Sequence, residues 1–422
     1  MLRSSYNSVV SLLKALKDYS LYRNALYLIA STFFGAGMGF FFWIVAARLY
    51  PVKDFGLASA LISVIGLISS LSILGLNTGL IRYLPEINDK SKLINTCISV
   101  VTIISFTISM IFLLSVDILA PPLKVIKENP VIVLLFILFC VLPSNNALLR
   151  MGVFIGFKEA KYSFIQTIFL FMRILILPFF VALGAIGIFI SFGMTAIVAY
   201  IVGIYILYKI YNHKIKFFID IKLLKDILPY SFGNYLAGLL AGLPMYALPI
   251  LVINTLGAEA NAYFYAAWMT SYLLITISDN ISTSLFAEGS HDPNNVYKTA
   301  RKAFKFSLSL TIFLTIIIYL FGKYILLILG KQFEQESLQL LRILIFANIF
   351  YIINSIYVAI KRVEKNVKAI VFTYGFLSIF TLILSYVLIH PMGLMGIGLS
   401  WLLSNIILSG IILNNIRYSI FR

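Results

Sequence analysis

The feature that most constrains this chain is a series of continuous apolar runs, each long enough to cross a membrane, separated by short polar loops. Crossing the bilayer takes about 20 apolar residues as an α-helix. Backbone in lipid must satisfy its own hydrogen bonds, so the spans are helices or a closed barrel. Apolar and polar residues do not alternate in these runs, which excludes a barrel. The sequence therefore predicts an all-α integral membrane protein.

Composition supports this prediction. The 422 residues are 61% hydrophobic and 12% charged, whereas soluble domains average about 45–50% apolar and about 25% charged. We count twelve spans, six in each half. In the first half they cover residues 25–47, 55–80, 94–117, 131–150, 162–183 and 186–207, and in the second half 232–254, 260–285, 304–322, 338–360, 367–389 and 393–414.

The positive charges predict the orientation. With the N-terminus inside, 25 of the 33 Lys and Arg residues fall in cytoplasmic segments, six in external loops and two within spans. Cytoplasmic loops carry such an excess, so both termini are predicted to be cytoplasmic in a multi-pass protein of the cell membrane. Residues 7–19 have the spacing of an amphipathic helix lying in the inner interface. Residues 1–24 do not resemble a cleaved signal peptide, because charges interrupt the apolar stretch.

The longest polar interruption lies at the middle of the chain, in residues 208–231. It ends in LLKDILPYS, which matches LLKALKDYS of residues 12–20 at its first three and last two positions, 211 residues apart. An even number of spans gives both halves the same orientation, as in a parallel repeat. We therefore predict an N-terminal six-helix lobe (1–211) with its interfacial helix, a cytoplasmic linker (212–230) and a C-terminal six-helix lobe (231–422), the lobes being related by a pseudo-twofold axis along the membrane normal.

Several functional classes are disfavoured. The net charge of +17 follows from the loop lysines and arginines, so it does not indicate nucleic acid. Cys97 and Cys140 both lie in apolar runs, and the three histidines are far apart in loops, so no metal or cofactor is predicted. No Walker A motif and no catalytic triad pattern is present. The external loops are short, so any activity is expected within the membrane.

Charged residues inside spans are the candidates for function, because a charge at mid-membrane costs about 2.5–3.5 kcal/mol on insertion scales. Arg173 is near the middle of span five and could hold a phosphate, since arginine binds phosphate in a bidentate manner, or form a structural pair. Arg342, near the outer end of span ten, could bind the same group or extend its charge to the interface.

Two further regions carry polar residues. Asp279 lies in the inner third of span eight, with Asn280 beside it. This pair could couple transport to H+ or Na+, or Asp279 could simply pair with an arginine. Asn77 and Arg82 lie where span two ends, in GLNTGLIRYLPE. They could face a central cavity and substrate, or serve close helix packing through small residues with an i,i+4 ion pair between Arg82 and Glu86.

The run from Ala46 to Glu86 resembles the polysaccharide-biosynthesis flippases of the multidrug/oligosaccharidyl-lipid/polysaccharide exporter superfamily. The similarity lies in Ala47-Arg48, Phe55-Gly56, Gly75-Leu76 and Arg82-Tyr83-Leu84-Pro85-Glu86, and in the second half in residues 256–268 and 282–288. The resemblance implies a MATE-like fold with two six-helix lobes around a cavity that opens alternately to each side. It also implies a transporter rather than an enzyme, which moves a polyprenyl-(pyro)phosphate-linked oligosaccharide from the inner to the outer leaflet.

Alternatives remain open. A multidrug/cation antiporter of the same superfamily would need acidic cavity residues, whereas this chain offers two arginines and one clear acid within its spans. Lipid II flippases usually carry two additional spans, for which the chain has no room. A major-facilitator transporter is disfavoured by the loop RYLPEINDKSK after span two. A membrane glycan polymerase or ligase would need a large external loop. The expected partners are the lipid-linked oligosaccharide, membrane lipids and H+ or Na+, but not nucleic acid.

Overall fold

A computed structural model describes residues 20–291 and 293–420, and the regular secondary structure of this part is entirely helical, without a β-strand. We number the helices by span and divide the second one where it breaks. They are α1 Ser20–Leu49, α2a Val52–Ile73, α2b Leu76–Tyr83, α3 Lys90–Leu119, α4 Pro130–Gly156, α5 Ala160–Leu183, α6 Ala185–Tyr211, α7 Ile221–Leu256, α8 Ala258–His291, α9 Val296–Leu329, α10 Lys331–Val363, α11 Val367–Met392 and α12 Leu394–Ile420.

The predicted fold class, an all-α integral membrane protein, is confirmed. Eleven of the helices among the described residues are long and apolar enough to cross a membrane. Helix α8 is long enough, with 34 residues, but it is less apolar and carries Asp279. The helices extend beyond the predicted spans; for example, α9 covers residues 296–329 where we predicted 304–322. Charged residues that we assigned to loops continue these helices past the apolar region. The predicted interfacial helix at 7–19 lies outside the described residues.

Successive helices alternate in direction, so the molecule has two opposite faces. We call the end at which α1 finishes and α2a begins the Arg48 face, and the opposite end, at which α2b finishes, the Arg82 face. The connections after α1, α3, α5, α7, α9 and α11 lie at the Arg48 face. The remaining connections, including residues 212–220, lie at the Arg82 face.

Helix α2 does not run straight to residue 80 as we predicted. It breaks at Leu74 and Gly75, which both have positive φ angles, 48° and 71°. Glycine adopts this conformation without steric cost. A side chain at Gly75 would also overlap the carbonyl oxygen of Ser231 on α7. The break therefore lets α2b turn and pack closely against the beginning of α7.

The two halves meet mainly where α2a packs between α7 and α8. The Nδ2 atom of Asn261 on α8 donates to the carbonyl oxygen of Gly56 at 2.8 Å and to the hydroxyl of Ser59 at 3.0 Å. A Cβ atom at Gly56 would overlap the carbonyl oxygen of Ala258. Small residues therefore bring these two backbones together, as in other packed membrane helices.

The linker is bound along helix α3 of the first half. The backbone N–H groups of Lys216, Phe218 and Asp220 donate to the side chains of Asn95, Ser99 and Thr96, at 3.2, 3.0 and 3.1 Å. The first turns of α7, through Ile227, also pack into the apolar core of the first half. The lobe boundaries at 211 and 231 stay a prediction, and these contacts place the first turns of α7 with the first half.

Candidate functional site

The largest of the described cavities opens between the two halves at the Arg82 face, and we call it the vestibule. Its volume is about 810 Å³, and its wall combines α2b with α7, α8 and the end of α10. Its lining holds three basic side chains, Arg82, Arg362 and Lys365, and no acidic one. The vestibule is therefore a cationic opening that both halves build.

The two glutamates that follow these cations in the chain, Glu86 and Glu364, compensate them little. Glu86 is 3.8 Å from Arg82, but both side chains are more than half exposed, and such pairs contribute little. Glu364 binds elsewhere, because it accepts from Lys361 Nζ and from the Tyr297 hydroxyl, each at 2.6 Å. Partial burial acts in the opposite direction, but these two hydrogen bonds lower the pKa of Glu364. Glu364 thus stays ionised and bound to Lys361.

A second cavity of about 260 Å³ lies deeper in the second half, and we call it the acidic pocket. Gly238 lines both this pocket and the vestibule, so the two adjoin. Asp279 contributes its carboxylate, and the Tyr351 hydroxyl donates to Asp279 Oδ1 at 2.9 Å. Arg362 interacts electrostatically with Asp279. The acidic pocket therefore places one carboxylate in the cavity that adjoins the vestibule.

A third cavity of about 200 Å³, the aromatic pocket, lies between α1 of the first half and α7 and α8 of the second. It shares Met245, Trp268 and Tyr272 with the acidic pocket. The chain has three tryptophans, and Trp43, Trp268 and Trp401 each line one or both of these pockets. The three cavities together form one cleft, which narrows from the vestibule into an aromatic interior.

Two indole groups in the cleft lack partners. The Nε1 atoms of Trp268 and Trp401 are buried and have no hydrogen-bond partner. The two rings are in edge contact, with centroids 5.3 Å apart. A buried donor without a partner carries a desolvation cost of roughly 1–3 kcal/mol. Both residues line the cleft, so a polar ligand that displaced the groups covering these nitrogens would find two unpartnered donors.

The cleft is closed at the Arg48 face. Trp43 packs on Phe55 and Tyr265, with ring centroids 4.8 and 4.7 Å apart, and Phe55 packs on Phe333 at 5.2 Å. Beside this cluster, Arg48 donates from Nε to the carbonyl oxygen of Ile328 at 2.5 Å and from Nη2 to that of Leu327 at 2.8 Å. A cation at the C-terminal end of a helix is favoured by its dipole. Arg48 therefore joins α1 of the first half to α9 of the second.

Two of the residues predicted from the sequence meet in this cleft. Arg82 lines the vestibule and Asp279 the acidic pocket. Asn77 packs against helix α4, where the Cβ position of Gly152 is 3.0 Å from the Asn77 Cα atom. Asn280, the next residue on α8, is exposed. The roles of these residues in binding or ion coupling stay predictions.

The two arginines predicted within spans lie apart from each other. Arg173 lies in the first half, its guanidinium carbon 5.0 Å from the ring centroid of Phe42 and 5.3 Å from that of Phe192. Arg342 lies over the ring of Tyr319 on α9, at 4.8 Å. The lining of the three cavities includes neither arginine. Their predicted contact with substrate stays a prediction, and their surroundings suggest separate roles.

Sequence reasoning missed three cations. Arg362 and Lys365 were counted only as cytoplasmic charges at the end of span ten, because a loop lysine that faces a cavity looks like any other in the sequence. Arg150 was counted with the loop after span four. In the structure it lies on a π-helical turn, Leu149–Val153, within α4. Such turns are frequent at functional sites, but no sequence signal located this one.

Comparison with known proteins identifies the family. Residues 21–287, more than half of the chain, match the polysaccharide biosynthesis protein family. The chain belongs to that family. Residues 240–387 also match the MatE family. The resemblance stated from the sequence is therefore confirmed.

Solved structures similar to this polysaccharide biosynthesis protein support the fold. It superposes on the inward-facing conformation of a multidrug resistance MATE family transporter of the MOP superfamily with a TM-score of 0.70, covering 94% of each chain at 17% identity. It superposes on the lipid II flippase MurJ, in an inward closed conformation, with a TM-score of 0.73. That match covers 93% of this chain and 87% of MurJ, also at 17% identity. The MATE-like fold is thus confirmed.

The relative found by sequence comparison does not indicate an activity. The chain is 27% identical over 248 residues to an uncharacterized membrane protein of Methanocaldococcus jannaschii. The alignment covers 56% of this chain and 56% of that relative, so the chain matches little more than half of its length.

Proposed function

We propose that this protein is a flippase that moves a polyprenyl-(pyro)phosphate-linked oligosaccharide from the inner to the outer leaflet of the cell membrane. The observation that carries the proposal is the vestibule, which brings Arg82, Arg362 and Lys365 together without an acid in its lining. Its volume of about 810 Å³ is within the usual range for a small-molecule site. An anionic headgroup is the cargo that such a surface favours.

The orientation follows from the charges. The segments at the Arg82 face are those that hold most of the lysines and arginines, and this imbalance assigns that face to the cytoplasm. Both termini are then cytoplasmic, and the vestibule opens toward the leaflet from which the cargo starts. The closed Arg48 face is external. This conformation is the one that would accept cargo from inside.

The chemistry of the cleft suits a sugar phosphate. Guanidinium groups form strong, charge-assisted hydrogen bonds to phosphate oxygens, and Arg82 and Arg362 would neutralise the phosphates as they leave water. The sugar rings would then lie in the aromatic interior, where Trp268 and Trp401 have free N–H donors. The lipid tail would stay in the bilayer. Rocking of the two lobes about α7, which contains Pro229, Pro244 and Pro249, would open the Arg48 face.

The test is a flipping assay with the purified protein in liposomes and a fluorescent polyprenyl-pyrophosphate oligosaccharide. The double variant Arg362→Ala/Lys365→Ala should lower the initial rate about tenfold or more, because two phosphate contacts are lost. Lys361→Ala is the matched control, since Lys361 is bound to Glu364 instead, and it should flip at close to the parent rate. Equal rates for the double variant and the parent protein would refute the proposal.

A second candidate function is a multidrug/cation antiporter, which the acidic pocket favours. Asp279 lies there among Trp268, Tyr272, Tyr351, Tyr374 and Trp401, and aromatic faces attract organic cations. The match of residues 240–387 to the MatE family covers most of this pocket. Proton-driven uptake of ethidium by liposomes that do not flip the oligosaccharide would support the antiporter over the flippase.

A further inference from the structure

Two arginines of the first half lie near each other in the membrane region without an acidic partner. Arg150 is on the π-helical turn of α4 and Arg173 is on α5, and Arg150 bonds to Thr167, which lies six residues before Arg173 on α5. The Nε atom of each is buried and has no hydrogen-bond partner. Among residues 20–291 and 293–420, no salt bridge includes either of them.

The groups around this pair are neutral. Arg150 donates from Nη1 to the Thr167 hydroxyl oxygen at 3.2 Å, and that hydroxyl donates to the carbonyl oxygen of Ser163 at 3.0 Å. Arg173 lies over the π faces of Phe42 and Phe192, and it also interacts with Tyr265, which is neutral as well. Cation–π contacts offset part of the cost of burying a charge. They do not remove the repulsion between two like charges, so the pair lacks a counter-charge.

The pair lies close to the aromatic pocket. On α1, the Cβ position of Gly35 is 3.5 Å from Thr167 Cγ2, and that of Gly39 is 3.6 Å from Arg173 Nη2. The same two glycines also line the aromatic pocket. Only a glycine face of α1 therefore separates this pocket from the arginines.

We propose that Arg150 and Arg173 together hold one small inorganic anion of the halide class, which is chloride under cellular conditions. The anion accepts from the free Nε–H groups and compensates both charges in the first half. This role differs from the predicted contact of Arg173 with cargo phosphate. It does not depend on which cargo the protein moves, so it stands or falls separately from the flippase proposal.

The test compares the thermal stability of the purified full-length protein in sodium chloride, sodium bromide and sodium gluconate at equal ionic strength. A ligand that binds only the folded state raises the melting temperature in a saturable way. Chloride and bromide should do so, and gluconate should not. Arg150→Lys and Arg173→Lys keep the charge but lose the Nε donor, so each should weaken the apparent affinity by about tenfold to a hundredfold.

Arg342→Lys is the matched control. Arg342 also has a buried Nε atom without a partner and lies over an aromatic ring, but on a different helix of the second half. This variant should respond to chloride as the parent does. An equal loss of response in Arg342→Lys, or equal melting temperatures of the parent in chloride and gluconate, would overturn the proposal.

Inorganic pyrophosphate is the last ligand to be compared in the thermal-stability experiment. If it stabilises the parent while halides do not, and the Lys variants abolish this effect, the pair belongs to the phosphate of the cargo and the halide proposal is wrong. If the Lys variants do not fold, crystals of the parent grown in bromide decide the matter. An anomalous peak between the two guanidinium groups supports the proposal, and its absence at full bromide concentration refutes it.

Discussion

At the scale of single residues, Asp279 is the group best placed to sense an ion gradient, because it lines the acidic pocket next to Tyr351 and near Arg362. Asp279→Asn removes the charge but keeps the size. We expect flipping by this variant to lose its dependence on an imposed H+ or Na+ gradient, measured in liposomes with and without the gradient. Asn280→Ala tests the other member of the predicted pair, and a loss of the gradient response there as well would assign the coupling to both side chains. A gradient response in Asp279→Asn would exclude the coupling role.

Gly56 supports a prediction about packing. Its missing side chain lets α2a approach the carbonyl oxygen of Ala258 on α8. We expect Gly56→Ala to destabilise the protein by about 1–3 kcal/mol, as overpacked sites do, and to lower its thermal midpoint in detergent. Gly37→Ala is the control, because nothing lies within 4 Å of its Cβ position. Equal midpoints for the two variants would contradict this account of the contact.

The residues that sequence analysis could and could not identify differ in physical terms. Asp279 was identifiable because a carboxylate interrupts an apolar run. Arg82 was identifiable because it lies at the end of an apolar run, beside small and polar residues. Arg362 and Lys365 were not, since the rule that assigns loop lysines to the cytoplasm explains them equally well. Arg150 was missed because it is the last residue of the predicted span four. In the structure, α4 continues past it to Gly156 through the π-helical turn.

At the scale of helices and connections, the attachment of the linker should depend on pH. His213 is 4% exposed, its Nδ1 atom is 2.9 Å from the Ser91 hydroxyl, and burial lowers its pKa. The folded state therefore favours the neutral imidazole, and its stabilising effect is present above about pH 6.5 and declines as the pH falls below that value.

The measurement is hydrogen exchange at the amides of residues 216–220, which α3 holds. We expect their protection, corrected for intrinsic exchange rates, to fall between about pH 7.5 and about pH 5.5. His213→Gln, which cannot titrate in this range, should show a smaller change. A pH response of equal size in this variant would assign the effect to another group.

The break in α2 shows why helix boundaries were harder to predict than helix number. Apolar periodicity continues through Leu74, and a leucine does not favour a φ angle of 48°. Its conformation follows from the packing of α2b against α7, which brings Gly75 and Gly79 next to Ser231. Such tertiary packing has no local signal. The twelve apolar runs, by contrast, reflect the solvent and are visible in the sequence alone.

At the scale of the whole molecule, closure of the Arg48 face should depend on Arg48. Its two hydrogen bonds join the halves and must break when this face opens. We expect Arg48→Ala to increase the population with this face open, seen as longer distances between spin labels at positions 53 and 323 in pulsed electron resonance. Lys331→Ala, a change at an exposed residue of the same face, should leave the distances unchanged. Unchanged distances in Arg48→Ala would remove Arg48 from the gate.

Global features were predicted better than contacts. The all-α membrane fold follows from composition and span count, and the family was recognised by the resemblance of the motifs near Arg82 to those of known members. The pairing of helices across the halves does not, because apolar surfaces of many helices are interchangeable in sequence. Asn261 is an example, since its bonds to Gly56 and Ser59 join residues about 200 positions apart along the chain, and nothing local in the sequence relates them.

The contact between Arg48 and α9 has a consequence for how the protein tolerates mutation. Both acceptors are main-chain oxygens, at Leu327 and Ile328, so replacing either side chain keeps the acceptor. The second half therefore contributes to this closure through the place where α9 ends, before Gly330. Point substitutions in its last turn should be nearly silent. Inserting or deleting a single residue there rotates the carbonyl groups by about 100°, so this segment is free to vary in composition but not in length.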